Sequence, residues 1–407
     1  MHRQQSRSLC RLAFRSIIVL STPVLLLGCG GGNDNSSPMA TSTPTATRTP
    51  TPVATRTPTP VATRTPTTPA ASGFVQTNLV TDVAGGAANT DPNLLNPWGV
   101  AYAPTGPFWV SDNHAGVSTV YDGSGKPFPS PTPLVVTIPA PPGSSDPAAP
   151  TGIVFNGTSD FVVTDGSKSG PSLFIFSTED GTLSGWSQGV NVAAAILAVD
   201  NSGSNAIYKG LALGANHSEN FLFATDFHSG RVDAFDKNFA PATLTGSFAD
   251  PNIPAGFAPF GIQNIGDLLY VTYAKQDENM EDDEPGPGNG YVDIFDTNGV
   301  LVQRFASQGT LNSPWGIALA PASFGQFSNA LLVGNFGDGR INAFNVNSGA
   351  FLGQLADTHG VPIAIEGLWA LTVGNGTLAG SMNTLFFTAG PGDEEHGLFG
   401  SLEAAPG

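Results

Sequence analysis

The chain has 407 residues, 40% of them hydrophobic, and a formal net charge of −17 from 15 Lys+Arg against 32 Asp+Glu. That balance excludes a nucleic-acid partner, because a phosphate backbone needs a basic face, while it favours solubility and permits cation binding. Fifty Gly and 34 Pro fit many short strands joined by turns. The only cysteines, Cys10 and Cys29, precede the long downstream domain, so no disulfide framework holds that domain.

Residues 1–28 read as an export signal. Arg3, Arg7, Arg11 and Arg15 form a basic start, and Ser16–Leu27 is an apolar run too short to span a bilayer comfortably. The run ends in Leu26-Leu27-Gly28-Cys29, which resembles the bacterial lipobox. The resemblance implies lipidation of Cys29, a membrane tie through the lipid, and residence at the outer membrane or cell surface. Residues 29–72 form a linker in which ATRTPTPV repeats at 46–53 and 54–61 and continues as ATRTPTTP at 62–69. Thr and Pro at this density oppose both helix and ladder and favour an extended polyproline II tether.

From residue 73 to 407 a unit recurs. A Gly starts an apolar strand in NPWGVAY (Gly99), APTGIVF (Gly152), IYKGLAL (Gly210), FAPFGIQ (Gly261), NSPWGIA (Gly316) and AIEGLWA (Gly367). A second strand follows each: FWVSD (108–112), FVVTD (161–165), FLFATD (221–226), LLYVTY (268–273), ALLVGN (330–335) and TLFFTA (384–389). Third strands include VSTVYD (117–122), LFIFS (173–177), RVDAFD (231–236), YVDIFD (291–296) and RINAFN (340–345); a fourth is visible in four units, as in LVVTI (134–138) and VAAAILAV (192–199). Short antiparallel strands in units of about 50 residues are the signature of propeller blades, so the chain is predicted to be an all-β, six-bladed propeller of four-stranded blades. The sixth unit stops at a third strand, GLFGSL (397–402). Residues 74–82, FVQTNLVTD, resemble the fourth-strand segment LVQRFASQ and are predicted to complete that last blade, removing an open sheet edge.

The units NPWGVAY, VSD and RVDAFD are similar to the NHL-type repeat. The whole chain also resembles a group of secreted bacterial six-bladed propellers that share the LLNPWGVA opening and the IEGLWAL to HGLFG ending. The resemblance implies architecture, not activity.

In an up-and-down blade the start of the innermost strand and the end of the second lie on one face of the ring. The residues before the anchoring Gly are therefore rim positions, among them Trp98, Lys209, Phe260, Trp315 and Glu366. The second strands end in Asp112, Asp165, Asp226 and Asn335, with His114 and His228 two residues on from Asp112 and Asp226. Aromatic walls with a few convergent polar groups make the mouth the predicted ligand site, lined by Trp98, Lys209, Phe260, Trp315, Glu366, His114 and His228. Strand-end Asp residues also commonly cap their own turns. Two loops overhang the same mouth, KQDENMEDDEPGPGNG (275–290) and PGDEEHG (391–397). Their oxygen-rich chemistry suits a hard cation such as Ca²⁺.

Three functions follow as expectations. The first is a lipid-anchored extracytoplasmic module, monomeric, that binds a small molecule or an exported protein at its mouth. The second is a metal-dependent hydrolase. Glu366-Gly367 is similar to a motif of the calcium-dependent propeller lactonases, which implies a metal held by Glu366 with Asp112, Asp165, Asp226 and Asn335 as candidate co-ligands. The third is a structural envelope scaffold, which a channel plugged by Trp98, Phe260 and Trp315 would favour.

Overall fold

The structure, a computed structural model, describes residues 73–216 and 219–406; the signal segment, the linker and Cys29 lie outside the described residues. Six antiparallel sheets follow one another along the chain and form the blades of the propeller. Blade 1 runs Pro97–Tyr102, Phe108–Asp112, Val117–Tyr121 and Val135–Thr137. Blades 4 and 5 repeat that four-strand order over 257–307 and 314–354. In blades 1, 5 and 6 every residue of the second strand is buried, because neighbouring blades cover both of its faces. Such strands therefore read as continuous apolar runs instead of alternating ones.

The ring closes as expected. Phe74–Thr81 pairs antiparallel with Leu398–Ala404, from Phe74 opposite Ala404 to Thr81 opposite Leu398. It is the fourth strand of blade 6, outside Leu368–Val373, Leu385–Ala389 and Leu398–Ala404. Phe74 is buried with Phe324, Phe327 and Leu332 of blade 5, so the closing strand is also core.

Two blades depart from the sequence reading. In blade 2 the second strand is Phe174–Thr178, not 161–165; the third is Thr182–Trp186 and the fourth Ile196–Asp200. Residues Val162–Asp165 instead fold back on Lys168–Pro171 through a two-residue turn with Gly166 at φ +59°. A local hairpin of this kind forms without reference to the ring, and it leaves Phe174–Thr178, buried throughout, to fill the place between blades. Blade 3 has three strands, Tyr208–Asn216, Glu219–Asp226 and Arg231–Phe235.

The repeated Gly has a steric cause. A Cβ on Gly261 would lie 2.1 Å from the Trp315 carbonyl oxygen, and one on Gly316 would lie 2.3 Å from that of Trp369. The innermost strands abut backbone to backbone around the axis, and only a residue without a side chain fits there. A Ser or Thr of the second strand ties the same contact. Thr225 Oγ1 accepts from Gly210 N–H at 2.7 Å and donates to the Phe260 carbonyl of the next blade at 2.8 Å. Thr388 does the same between Ala370 N–H and the Trp98 carbonyl, across the closure of the ring.

Candidate functional site at the channel mouth

Strand register decides which residues reach the axis. Pro97 pairs with Asp112, Tyr208 with Asp226, Pro259 with Tyr273, Pro314 with Asn335 and Leu368 with Ala389. The next residue in each blade is therefore the rim position: Trp98, Lys209, Phe260, Trp315 and, in blade 6, Trp369. Blade 2 contributes Thr151 by the same register, from Pro150 opposite Thr178.

The register corrects the sixth unit. Its abutting residue is Ala370, and Gly367, at φ +66°, belongs to the turn that leads into the strand. Glu366 is thus not a rim residue: it is exposed and accepts a hydrogen bond from Gly392 N–H at 3.1 Å. Asp165 likewise lies away from the mouth, exposed at the tip of the inserted hairpin, where it accepts from Asn191 at 3.2 Å.

The remaining strand-end residues are buried staples. Asp112 accepts from Thr119 Oγ1 at 2.8 Å, and burial, with Asp91 nearby, pushes its carboxyl well above the usual carboxylate range. Asp226 accepts from Ile207 N–H at 3.1 Å and pairs with Arg231 at 3.1 Å. Asn335 accepts from Asn312 N–H and donates to the Thr310 carbonyl. Each holds a turn or a neighbouring strand through at least one of its side-chain atoms. Among the described residues, no three His, Cys, Asp or Glu side chains gather to hold a metal ion. The expected set of Glu366, Asp112, Asp165, Asp226 and Asn335 therefore does not assemble.

Trp98, Phe260 and Trp315 do come together. They pack with Trp369, Phe227 and Phe336 in one buried cluster on the axis. Trp98 stacks on Trp369 with ring centroids 3.4 Å apart; Phe336 stacks on the same indole at 4.1 Å, and Trp315 meets it edge-on at 5.7 Å. The cluster plugs the channel and gives the mouth an aromatic floor.

A polar cluster sits at one side of that floor. Lys209, 1% exposed, donates to Glu179 Oε1 at 2.6 Å and to Asp282 Oδ1 at 3.1 Å. Its ammonium lies 5.2 Å from the ring centroid of Trp98 and 5.8 Å from that of Phe227, a cation–π arrangement. Asn113 Nδ2 donates to the other Glu179 oxygen at 3.1 Å. Asn96, fully buried, accepts from Trp369 Nε1–H at 3.0 Å and donates to Glu394 Oε2 at 2.8 Å; His114 Nε2 lies 3.4 Å from the same amide. His228 lies beside Gln276, whose amide donates to its carbonyl at 3.4 Å.

Asp282 and Glu394 come from the two acidic loops, so both loops do reach over the mouth. Lys209 pairs with Glu179 and Asp282, not with Glu366. Glu179, Asn96, Asn113 and Trp369 were missed by the sequence reading. The signal for Trp369 was present, since Trp-Ala-Leu at 369–371 parallels Trp-Gly-Val at 98–100 and Trp-Gly-Ile at 315–317. Glu179 was hidden by the misplaced second strand of blade 2.

No family model matches the chain. Uncharacterized protein R648 of Acanthamoeba polyphaga mimivirus is 34% identical over 331 residues, which cover 80% of this chain and 78% of the viral one. This chain belongs to the family of that protein. Uncharacterized protein L690 of the same virus, 34% identical over 325 residues and 82% covered, is another relative in it. Solved propellers align at lower identity. Virginiamycin B lyase from Staphylococcus aureus gives 14% identity and a TM-score of 0.43 over 81% of this chain and 98% of its own; a glucose dehydrogenase gives 11% and 0.48 over 80% and 98%. No residue role passes from them to this chain.

Proposed function

We propose that this propeller, built of NHL-like repeats, is a lipid-anchored extracytoplasmic binding module whose mouth takes a basic ligand or a basic segment of an exported protein. The observation that carries this reading is the charged cluster on the aromatic floor. One cation, Lys209, faces three carboxylates, Glu179, Asp282 and Glu394, and the surrounding loops add further acids. A carboxylate-rich cluster beside an aromatic surface complements a positively charged group.

Tryptophan fluorescence of the full chain, titrated with spermine, oligolysine and oligoglutamate, tests it. The cationic probes should perturb the Trp98–Trp369 stack, and Asp282→Asn should weaken them several-fold. Indifference to both cations, with the fold intact, would sink the proposal. The plugged channel supports a second reading, a structural scaffold, and indifference to all three probes would favour it. The metal-dependent hydrolase reading has no gathered donor set among the described residues to support it; a Ca²⁺ titration without heat or stabilisation would close it.

A further inference from the structure

The loop 391–396 turns in beside Asn96 between two tied ends, with Glu394 N–H donating to the Gly390 carbonyl and His396 N–H to that of Pro391. Its base is pinned: His396 Nδ1 lies 2.8 Å from Asp82 Oδ2, Gly397 N–H donates to Asp82 Oδ1 at 2.9 Å, and Asn96 N–H donates to the His396 carbonyl at 3.2 Å. Its start is pinned by Gly392 N–H on Glu366. Between these points Asp393 and Glu394 hold φ at +55° and +70°, a left-handed backbone that residues with a Cβ avoid. The Glu394 carboxyl accepts from the Asn96 amide at 2.8 Å.

We infer that this loop is a proton-operated latch on the mouth, closed while the Glu394 carboxyl is neutral and released when it ionises. Its bearing on ligand access rests on the proposed binding function; the latch itself does not.

The charges around Glu394 decide the direction. Blade 2 presents Glu179, the blade 4 loop Asp282 and blade 3 Lys209; blade 1 adds His114 through the shared Asn96 amide. On the loop itself stand Asp393, Glu395 and His396, with Asp82 and Glu366 at its pins. Lys209 is engaged by Glu179 and Asp282, so an ionised Glu394 adds a third carboxylate to one ammonium. Burial, reinforced by Glu179 and Asp282, pushes the Glu394 carboxyl up from 4.5 to about 7, against a smaller opposing pull from Lys209 and Asn96. With the open loop at the ordinary value, the closed form is fully favoured below about pH 4.5. It loses ground as pH rises to about 7 and is level above that. The closed-to-open ratio falls by a factor on the order of 100 across that window.

Hydrogen–deuterium exchange of the full chain tests the latch, reading the peptide over 390–398 from pH 4.5 to 8, corrected for intrinsic rates and referenced to a core peptide of blade 5. Protection in the wild type should fall on the order of a hundredfold by pH 7.5. Glu394→Gln should stay protected throughout, and Asp282→Asn should show a smaller fall that ends at lower pH. The core peptide reports whether each variant is folded. Protection independent of pH in the wild type would overturn the latch, while the fluorescence titration judges the binding proposal separately. A transition that persists in Glu394→Gln but vanishes in His396→Gln would also overturn it, by making His396 the sensor.

Discussion

Replacing Lys209 by Met tests the energetics of the mouth most directly. The substitution keeps most of the side-chain volume and removes the charge. Glu179, whose side chain is 5% exposed, loses the ammonium and keeps the Asn113 amide. Removing one partner of a buried ion pair costs about 3–5 kcal/mol. Asp282 contributes little of this, because its side chain is 43% exposed and water replaces the lost ammonium. The pH dependence has a definite sign. A buried carboxyl deprived of its ammonium favours its neutral form, so the deficit should be smaller at pH 5 than at pH 7. Urea unfolding at both pH values, with the double-mutant cycle through Glu179→Gln, measures it. A coupling of about 3 kcal/mol is expected for Lys209–Glu179, and below about 1 kcal/mol for Lys209–Asp282. A Lys209→Met deficit under about 1 kcal/mol at pH 7, or one equal at both pH values, would refute the reasoning.

Other expectations follow from the ring. Gly316→Ala drives a methyl into the Trp369 carbonyl and should cost about 1–3 kcal/mol or more by urea unfolding. Gly189→Ala, with nothing within 4 Å of its added methyl, should change little in the same assay. Trp369→Ala removes the indole on which Trp98 and Phe336 stack and should lower stability by about 3–5 kcal/mol. Deleting 74–81 removes the buried Phe74, Leu79 and Val80, roughly 5 kcal/mol of apolar burial. It also bares the Leu398–Ala404 edge, so light scattering should reveal association together with a lowered melting temperature.

The recurrence of a Gly-aliphatic strand start followed by further short apolar runs at intervals of about 50 residues made the six blades readable, because each unit solves the same packing problem alone. The closing strand was readable for a related reason: a sixth unit lacking its last strand leaves an edge that some other segment must cover, and 74–82 looks like one. Reading failed where a residue pair matched the pattern without occupying its place. Glu366-Gly367 looks like an anchor, yet the Ala370–Thr388 hydrogen bond sets the strand three residues later. Asp165 looks like a strand end, yet a two-residue turn at Gly166 pairs its segment locally.

By itself the sequence determined the architecture and the aromatic rim, since both follow from short-range periodicity and from a backbone contact that admits only small residues. The tertiary structure alone decided what the mouth is. Glu179, Lys209, Asp282, Glu394 and Asn96 come from five different blades or their loops, and no spacing along the chain records their meeting. Whether each carboxylate faced a metal, a turn or a lysine depended on strand register, and a shift of a few residues moved Glu366 out of the site and Trp369 into its centre.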